Sequence, residues 1–209
     1  MIIGITGGIG SGKSTIARAL AERGYAVYDC DREAKRIIAE NKEVQAAIIK
    51  LLGEEAFVNG GYNTAYVAKR VFEDSHLLAA LNAIVHPAVK ADIIQRAPLS
   101  SSATSPFINP PFPSPFFLES AILYEAGLDA LCDRVIVIDA PEDIRIARTI
   151  ARDYHGDASP ANIEKVRARI HAQSIPTGDL TILNDGKTSI SELAEEIIKV
   201  VYAGYYPAC

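Results

Sequence analysis

The stretch Gly7-Gly8-Ile9-Gly10-Ser11-Gly12-Lys13-Ser14 constrains this chain more than any other. Its pattern is glycine, four residues, glycine, lysine, serine, which is that of a phosphate-binding loop, or P-loop. Glycines let the backbone turn tightly and aim successive amides at one anion. At average residue frequencies the pattern arises by chance in under ~1% of chains this long. The setting agrees with it. Ile2-Ile3-Gly4-Ile5-Thr6 is apolar and β-branched and reads as a buried strand, and Thr15 to Arg23 has helical periodicity. A helix beginning near Lys13 adds its positive N-terminal dipole. The expected ligand is a nucleoside triphosphate, with Lys13 reaching its β- and γ-phosphates and Ser14 ligating Mg2+. The plain alternative is a glycine-rich strand-to-helix turn.

Composition narrows the class. The chain has 209 residues, 49% of them hydrophobic and 22% charged, which suits one compact domain or one domain with a small insertion. A net charge of −5 argues against broad nucleic-acid binding. Cys30, Cys132 and Cys209 are odd in number and far apart, without zinc or disulfide spacing. A reduced, cytoplasmic compartment is expected. The N-terminus has no basic region before its apolar residues and is not read as a signal peptide. No apolar run is read as long enough to span a bilayer, so no membrane partner is expected.

Further elements follow from pattern. Gly24 ends the first helix, and Tyr25 to Tyr28 is a second strand. Helical pattern runs from Arg32 to about Leu52, Asn59-Gly60-Gly61 is a turn, and a helix covers Thr64 to Phe72. Ser75 is expected to cap a helix that Pro87 ends or bends, with a further helix to Arg96. Pro98 to Pro115 is rich in proline and serine and reads as an irregular connection rather than a polyproline ligand. Phe116 to Glu119, Arg134 to Asp139 and Leu180 to Leu183 read as strands. Helices are expected from Pro141 to about Arg152, from about Ala161 to Gln173, and from Ser189 to Tyr202. Strands alternating with helices imply an α/β fold with a mostly parallel sheet covered on both faces.

Ligands in open α/β sheets sit beyond the carboxyl ends of strands. Asp29 and Asp31 fall there. A carboxylate there reads as a general base for an attacking hydroxyl or as a holder of Mg2+ through water, and Asp31 also reads as a helix cap. Asp139 resembles a Walker-B acid, but Pro141 and Glu142 follow at once and turn chemistry explains it better. Arg145, Arg148 and Arg152 share one helix face at spacing i, i+3, i+7. Arg148 and Arg152 read either as a solvated face or as cations closing over ATP. Asn82 and His86 share a face at i, i+4, and read as ligand contacts or as local capping and packing.

With these pieces placed, most of the chain resembles the dephospho-CoA kinase family. The resemblance rests on Ile5 to Ser14, Tyr28-Asp29-Cys30-Asp31, Leu81-Asn82-Ala83-Ile84-Val85-His86-Pro87, Leu123-Tyr124-Glu125-Ala126-Gly127-Leu128, Arg148 to Asp153, Ala172-Gln173 and Asn184-Asp185-Gly186. It implies a P-loop NTPase-type three-layer α/β/α fold with a five-stranded sheet. The core would comprise about 1–31, 116–150 and 178–209. A helical substrate-binding insertion would cover about 32–97, and a helical lid about 151–177. The implied reaction is ATP-dependent phosphorylation of the ribose 3′-hydroxyl of dephospho-CoA. The implied catalytic residues are Asp31 as base, Lys13 and Arg148. Gly8, Gly10, Ser11, Gly12, Lys13, Ser14, Thr15, Arg148 and Arg152 would bind ATP, with Ser14 on Mg2+. Asp31, Asn82, His86 and Glu125 would meet the acceptor. A monomer or weak homo-oligomer is expected. Two departures stand out: a more proline-rich connection over 98–115, and a shorter segment over Gln173 to Leu180. Rival readings are a nucleotide or shikimate kinase and a regulatory GTPase-like switch. The switch lacks support, because no Asn-Lys-x-Asp motif is present.

Overall fold

Apolar β-branched runs that repeat between helices build a single parallel sheet, and the strand order places the P-loop. A computed structural model describes residues 1–101, 114–174 and 176–203. The strands are β1 (Ile2–Thr6), β2 (Ala26–Asp29), β5 (Phe116–Glu119), β6 (Arg134–Asp139) and β7 (Leu180–Leu183). They form one all-parallel sheet in the order β2-β5-β1-β6-β7. β1 is central, with Ile5 beside Glu119 of β5 on one side and Ile136 of β6 on the other. The chain therefore changes direction of winding at β1, and a loop leaving its carboxyl end opens into the crevice where α/β sheets bind ligands.

Two compact units divide the chain, residues 1–28 with 100–209, and residues 29–99. In the first unit, α1 (Lys13–Glu22) packs with α8 (Ile190–Ala203) against the sheet. Their buried residues Ile16, Leu20, Leu193, Ala194 and Ile197 join Ile3, Ile5, Phe117, Ile138 and Ile182 in one core. Ser189 starts α8 with a capping box, its N–H donating to Glu192 Oε2 and its Oγ accepting from the Glu192 N–H. α6 (Glu142–Asp153) and α7 (Pro160–His171) share a smaller cluster of Ile146, Ile150, Val166 and Ile170. Pro141 is the residue that precedes α6 rather than the first in its helical turn.

The second unit holds α2 (Cys30–Glu40), α3 (Lys42–Leu52), α4 (Thr64–Glu73) and most of α5 (Ser75–Ser101), with a short hairpin β3 (Phe57–Val58) and β4 (Gly61–Tyr62). Several expectations need correction here. The single helix expected from Arg32 to Leu52 is two, because extended Asn41 breaks it and its side chain accepts from the N–H groups of Glu43 and Val44. Asp74, not Ser75, caps α5, taking the N–H groups of His76 and Leu77. Pro87 does not end α5, which continues to Ser101. The proline removes one amide donor, and packing along the rest of the helix outweighs that loss. Residues 98–101 of the connection expected over Pro98 to Pro115 are thus helical, and residues 102–113 lie outside the described residues.

The Ser75–Ala97 part of α5 is also long and apolar enough to cross a membrane by length and composition, with mean hydropathy 1.5. That corrects the sequence expectation that no apolar run is long enough. The helix nevertheless buries Val85, Val89, Ile93 and Ala97, a stripe four residues apart. It also ion-pairs through Asp92 and Arg96. The buried stripe and the ion pairs seat the helix within its own unit.

Candidate active site

Two glycines give the loop after β1 its shape. Gly10 has φ +76°, and a Cβ there would stand 2.4 Å from the Arg145 carbonyl oxygen of α6. Gly12 has φ +93°, and a Cβ would stand 2.3 Å from Asn184 Nδ2. Left-handed backbone with no room for a side chain admits only glycine.

Donors from distant parts of the chain hold the loop's carbonyls. Arg145 Nε donates to Ile9 O at 2.9 Å. Arg148 Nη1 donates to Ser11 O and to Asn184 O, both at 3.2 Å, and Nη2 donates to Asn184 Oδ1 at 3.1 Å. Asn184 is buried, and its Nδ2 donates to Ser11 O at 2.8 Å. A planar trans peptide sends its N–H opposite to its carbonyl. The amides of Gly10 and Gly12 therefore face away from Arg145, Arg148 and Asn184, as an anion site requires. On the other flank, the Ile9 N–H donates to Gln173 Oε1 at 2.7 Å.

Gly10, Gly12, Lys13, Ser14, Thr15, Arg148 and Arg152 line one cavity of about 510 Å³, together with Arg18 and Asn184. Four of its lining side chains are cations and none is an acid, which suits a polyanionic ligand. Seven residues expected from sequence at a triphosphate site thus come together. Arg152 is half committed elsewhere. Its Nε bonds Asp153 at 2.6 Å, and Arg169 bonds the same carboxylate at 2.9 Å. These two arginines hold the Asp153 carboxyl at about 2. Gly8 and Glu125 line a second cavity, of about 240 Å³, with Thr6, Tyr124 and Gln173. The Tyr124 hydroxyl there donates to Thr177 O.

Ser14 Oγ donates to Glu119 Oε1 at 3.1 Å. Glu119 is buried at the end of β5, beside Ile5. The pair offers hard oxygen donors next to the loop, and Mg2+ in phosphate sites takes one or two carboxylates and keeps the rest for water and phosphate. The donor set therefore fits that ion. Asp139 instead accepts the Ala140 N–H through Oδ1 at 2.8 Å, so it serves the turn. Sequence reasoning missed Glu119, although it too ends an apolar strand. It also left Arg145, Gln173 and Asn184 out of the site.

The remaining candidates belong to the second unit. Asp29 is the cap of α2, with Oδ1 accepting the Arg32 N–H at 2.9 Å. This rules out the capping role for Asp31. Asp31 lies in the first turn, exposed, with no hydrogen bond or ion pair among the described residues. Asn82 and His86 continue the face of the buried Val85, Val89 and Ile93 stripe, and burial lowers the His86 pKa. Arg96 of α5 meets Glu33 of α2. His86 and Asn82 precede Arg96 by ten and fourteen positions, or about 15 and 21 Å of helix. They and Asp31 can meet one ligand only if it is long. A cavity of about 680 Å³ between α2, α3 and α5 includes Ile37 and Glu40. At about 100° per residue these lie on the opposite side of α2 from Asp31.

The loop, the parallel sheet and the cationic cavity define a P-loop fold of the kinase type. A solved dephospho-CoA kinase structure from Campylobacter jejuni shares that fold with a TM-score of 0.61 at 20% identity, covering 98% of both chains. A solved structure from Thermus thermophilus is 33% identical with a TM-score of 0.73, covering 99% of this chain and 98% of that one. The dephospho-CoA kinase of Porphyromonas gingivalis is 37% identical over 185 residues, 87% of this chain and 85% of that protein. A model of the dephospho-CoA kinase family matches residues 1–189, and this chain belongs to that family. It is a kinase enzyme, and the family implies ATP as phosphoryl donor.

Proposed function

We propose that the chain transfers the γ-phosphoryl group of ATP to the ribose 3′-hydroxyl of dephospho-CoA, giving CoA and ADP in the last step of coenzyme A biosynthesis. The observation that carries this reading is the 510 Å³ cavity, in which Lys13, Ser14, Arg148 and Arg152 converge beside the loop amides. Lys13 and the amides hold the β- and γ-phosphates. Arg148 keeps the loop in its anion-binding shape through Ser11 O and adds positive charge where charge spreads during transfer. Mg2+ neutralises phosphate charge when bound, and Ser14 with Glu119 are the residues that would hold it. Asp31 accepts the proton of the acceptor hydroxyl, which its uncommitted carboxylate suits.

Dephospho-CoA is an extended molecule, so Asn82 and His86 can contact a part of it remote from the reacting hydroxyl. Glu125 belongs to the acceptor side of the loop, in the smaller cavity. Residues 32–97 act as the substrate-binding insertion, 1–31, 116–150 and 178–209 as the core, and 151–177 as the lid. A reducing, cytoplasmic setting fits Cys30 and Cys132, neither of which is in a disulfide.

An acceptor panel tests the proposal. ADP release is followed with ATP and dephospho-CoA, shikimate or nucleoside monophosphates in turn. Turnover is expected with dephospho-CoA. Turnover with another acceptor and none with dephospho-CoA would reject it.

A further inference from the structure

Asp31 must be aimed by something, since its own side chain is tethered to nothing described. Its aim depends on how the first turn of α2 is fixed. Asp29 fixes the backbone end of that turn. Glu33, in the same turn, is 5% exposed and takes three guanidinium groups. Arg36 Nε donates at 2.7 Å, while Arg32 and Arg96 each approach within 3.2 Å. Arg36 also holds both Asp92 oxygens at 3.0 Å, and Arg96 Nε holds Asp92 at 3.1 Å. Glu33, Arg36, Asp92 and Arg96 thus close a ring of alternating charge that ties the start of α2 to α5.

We infer that Glu33 is a positioning residue for the phosphoryl-transfer step, acting through this ring to hold Asp31 in line with the acceptor hydroxyl. The inference rests on the base role proposed for Asp31. Three features set the ring apart from ordinary surface pairs. Glu33 is buried, it has multiple partners, and it lies two residues from the proposed base. Burial pushes the Glu33 pKa up, yet Arg36, Arg96 and Arg32 more than offset this and keep it below the usual carboxylate value. Glu33 therefore carries its negative charge within the ring at neutral pH. A charge ring fixes both distance and direction, whereas apolar packing at this point would leave the turn free to slide.

The test is a double-mutant cycle in the full-length protein. Glu33→Gln keeps the shape and removes the charge. Its kcat should fall about 10- to 100-fold, the scale of a sub-ångström to ångström misplacement of a reacting group. KM for ATP should stay within about twofold, since the P-loop is untouched. In an Asp31→Asn background, the same substitution should lower the residual turnover no further. Equal losses in both backgrounds would overturn the inference and leave Glu33 a general stabiliser. Wild-type turnover in Asp31→Asn alone would instead overturn the base role itself, so the two failures are distinguishable. If Glu33→Gln does not fold, Asp92→Asn breaks the far side of the ring and is read in the same cycle, with additivity again the refuting result.

Discussion

Replacing Asn184 by alanine should loosen the nucleotide loop from a position 173 residues away along the chain. The side chain makes two bonds, Nδ2 to Ser11 O at 2.8 Å and Oδ1 from Arg148 Nη2 at 3.1 Å. A neutral hydrogen bond contributes about 1 kcal/mol net and one to a charged group about 1.5–3. Ser11 O keeps Arg148 Nη1 at 3.2 Å, so that carbonyl is not orphaned, and Arg148 keeps its three backbone acceptors. The loss is therefore about 2.5–4 kcal/mol, without the further penalty of a buried unpaired group. Part of it appears in folding and part in loop order. Half of the loss assigned to loop order is about 1.3–2 kcal/mol, or about a 10- to 30-fold weaker ATP Kd. Urea unfolding and calorimetric ATP titration measure the two parts. Asn184→Asp separates the two bonds. It keeps an acceptor for Arg148 but presents an oxygen to Ser11 O, so it should bind ATP as poorly as the alanine variant. Unchanged stability and unchanged ATP affinity in Asn184→Ala would refute this account of how the loop is held.

Gly10→Ala forces a side chain into left-handed backbone, at about 1–2 kcal/mol, and against the Arg145 carbonyl. Its ATP Kd should weaken by about tenfold or more, and wild-type affinity by calorimetry would contradict the packing described. Glu119→Gln should raise the Mg2+ concentration needed for half-maximal turnover while leaving Mg-free ATP binding unaltered, and an unchanged Mg2+ titration would remove Glu119 from the metal site. Asp153 has its pKa held at about 2, below the ordinary 3.8. A depressed carboxyl contributes stability that is present above the unfolded value and is lost as pH falls through the folded one. The melting-temperature gap between wild type and Asp153→Asn should then be constant above about pH 4 and shrink toward pH 2, and a gap that widens in acid would be inconsistent with the pairing.

The parts legible in the sequence were those with local signatures. The P-loop is eight consecutive residues, and the strands of the sheet are short runs rich in aliphatic and aromatic residues. Breaks set by single side chains were misread. Asn41 splits a helix, Asp74 displaces Ser75 as a cap, and α5 runs on through Pro87. Each depends on which neighbour wins a backbone donor, and propensity weighs that only coarsely. The loop's tethers were invisible for another reason. Arg145 reaches Ile9 across 136 positions and Gln173 reaches it across 164. No local pattern encodes such pairings, because tertiary folding creates them. Glu119 is the instructive case: it and Asp139 both end apolar strands, and only the Ser14 contact sets the acid proposed to hold Mg2+ apart from the turn acid.

In the proposed reaction a hydroxyl of dephospho-CoA receives the phosphoryl group with Asp31 as base. Phosphorus NMR of the product formed from ATP and dephospho-CoA, run with wild type and Asp31→Asn at matched concentration, reads both the position of the phosphate and the need for Asp31. A new ribose 3′-monophosphate resonance is expected from the wild type and almost none from the variant over the same time. A phosphate at any other position, no product at all, or equal rates from the two proteins would contradict it.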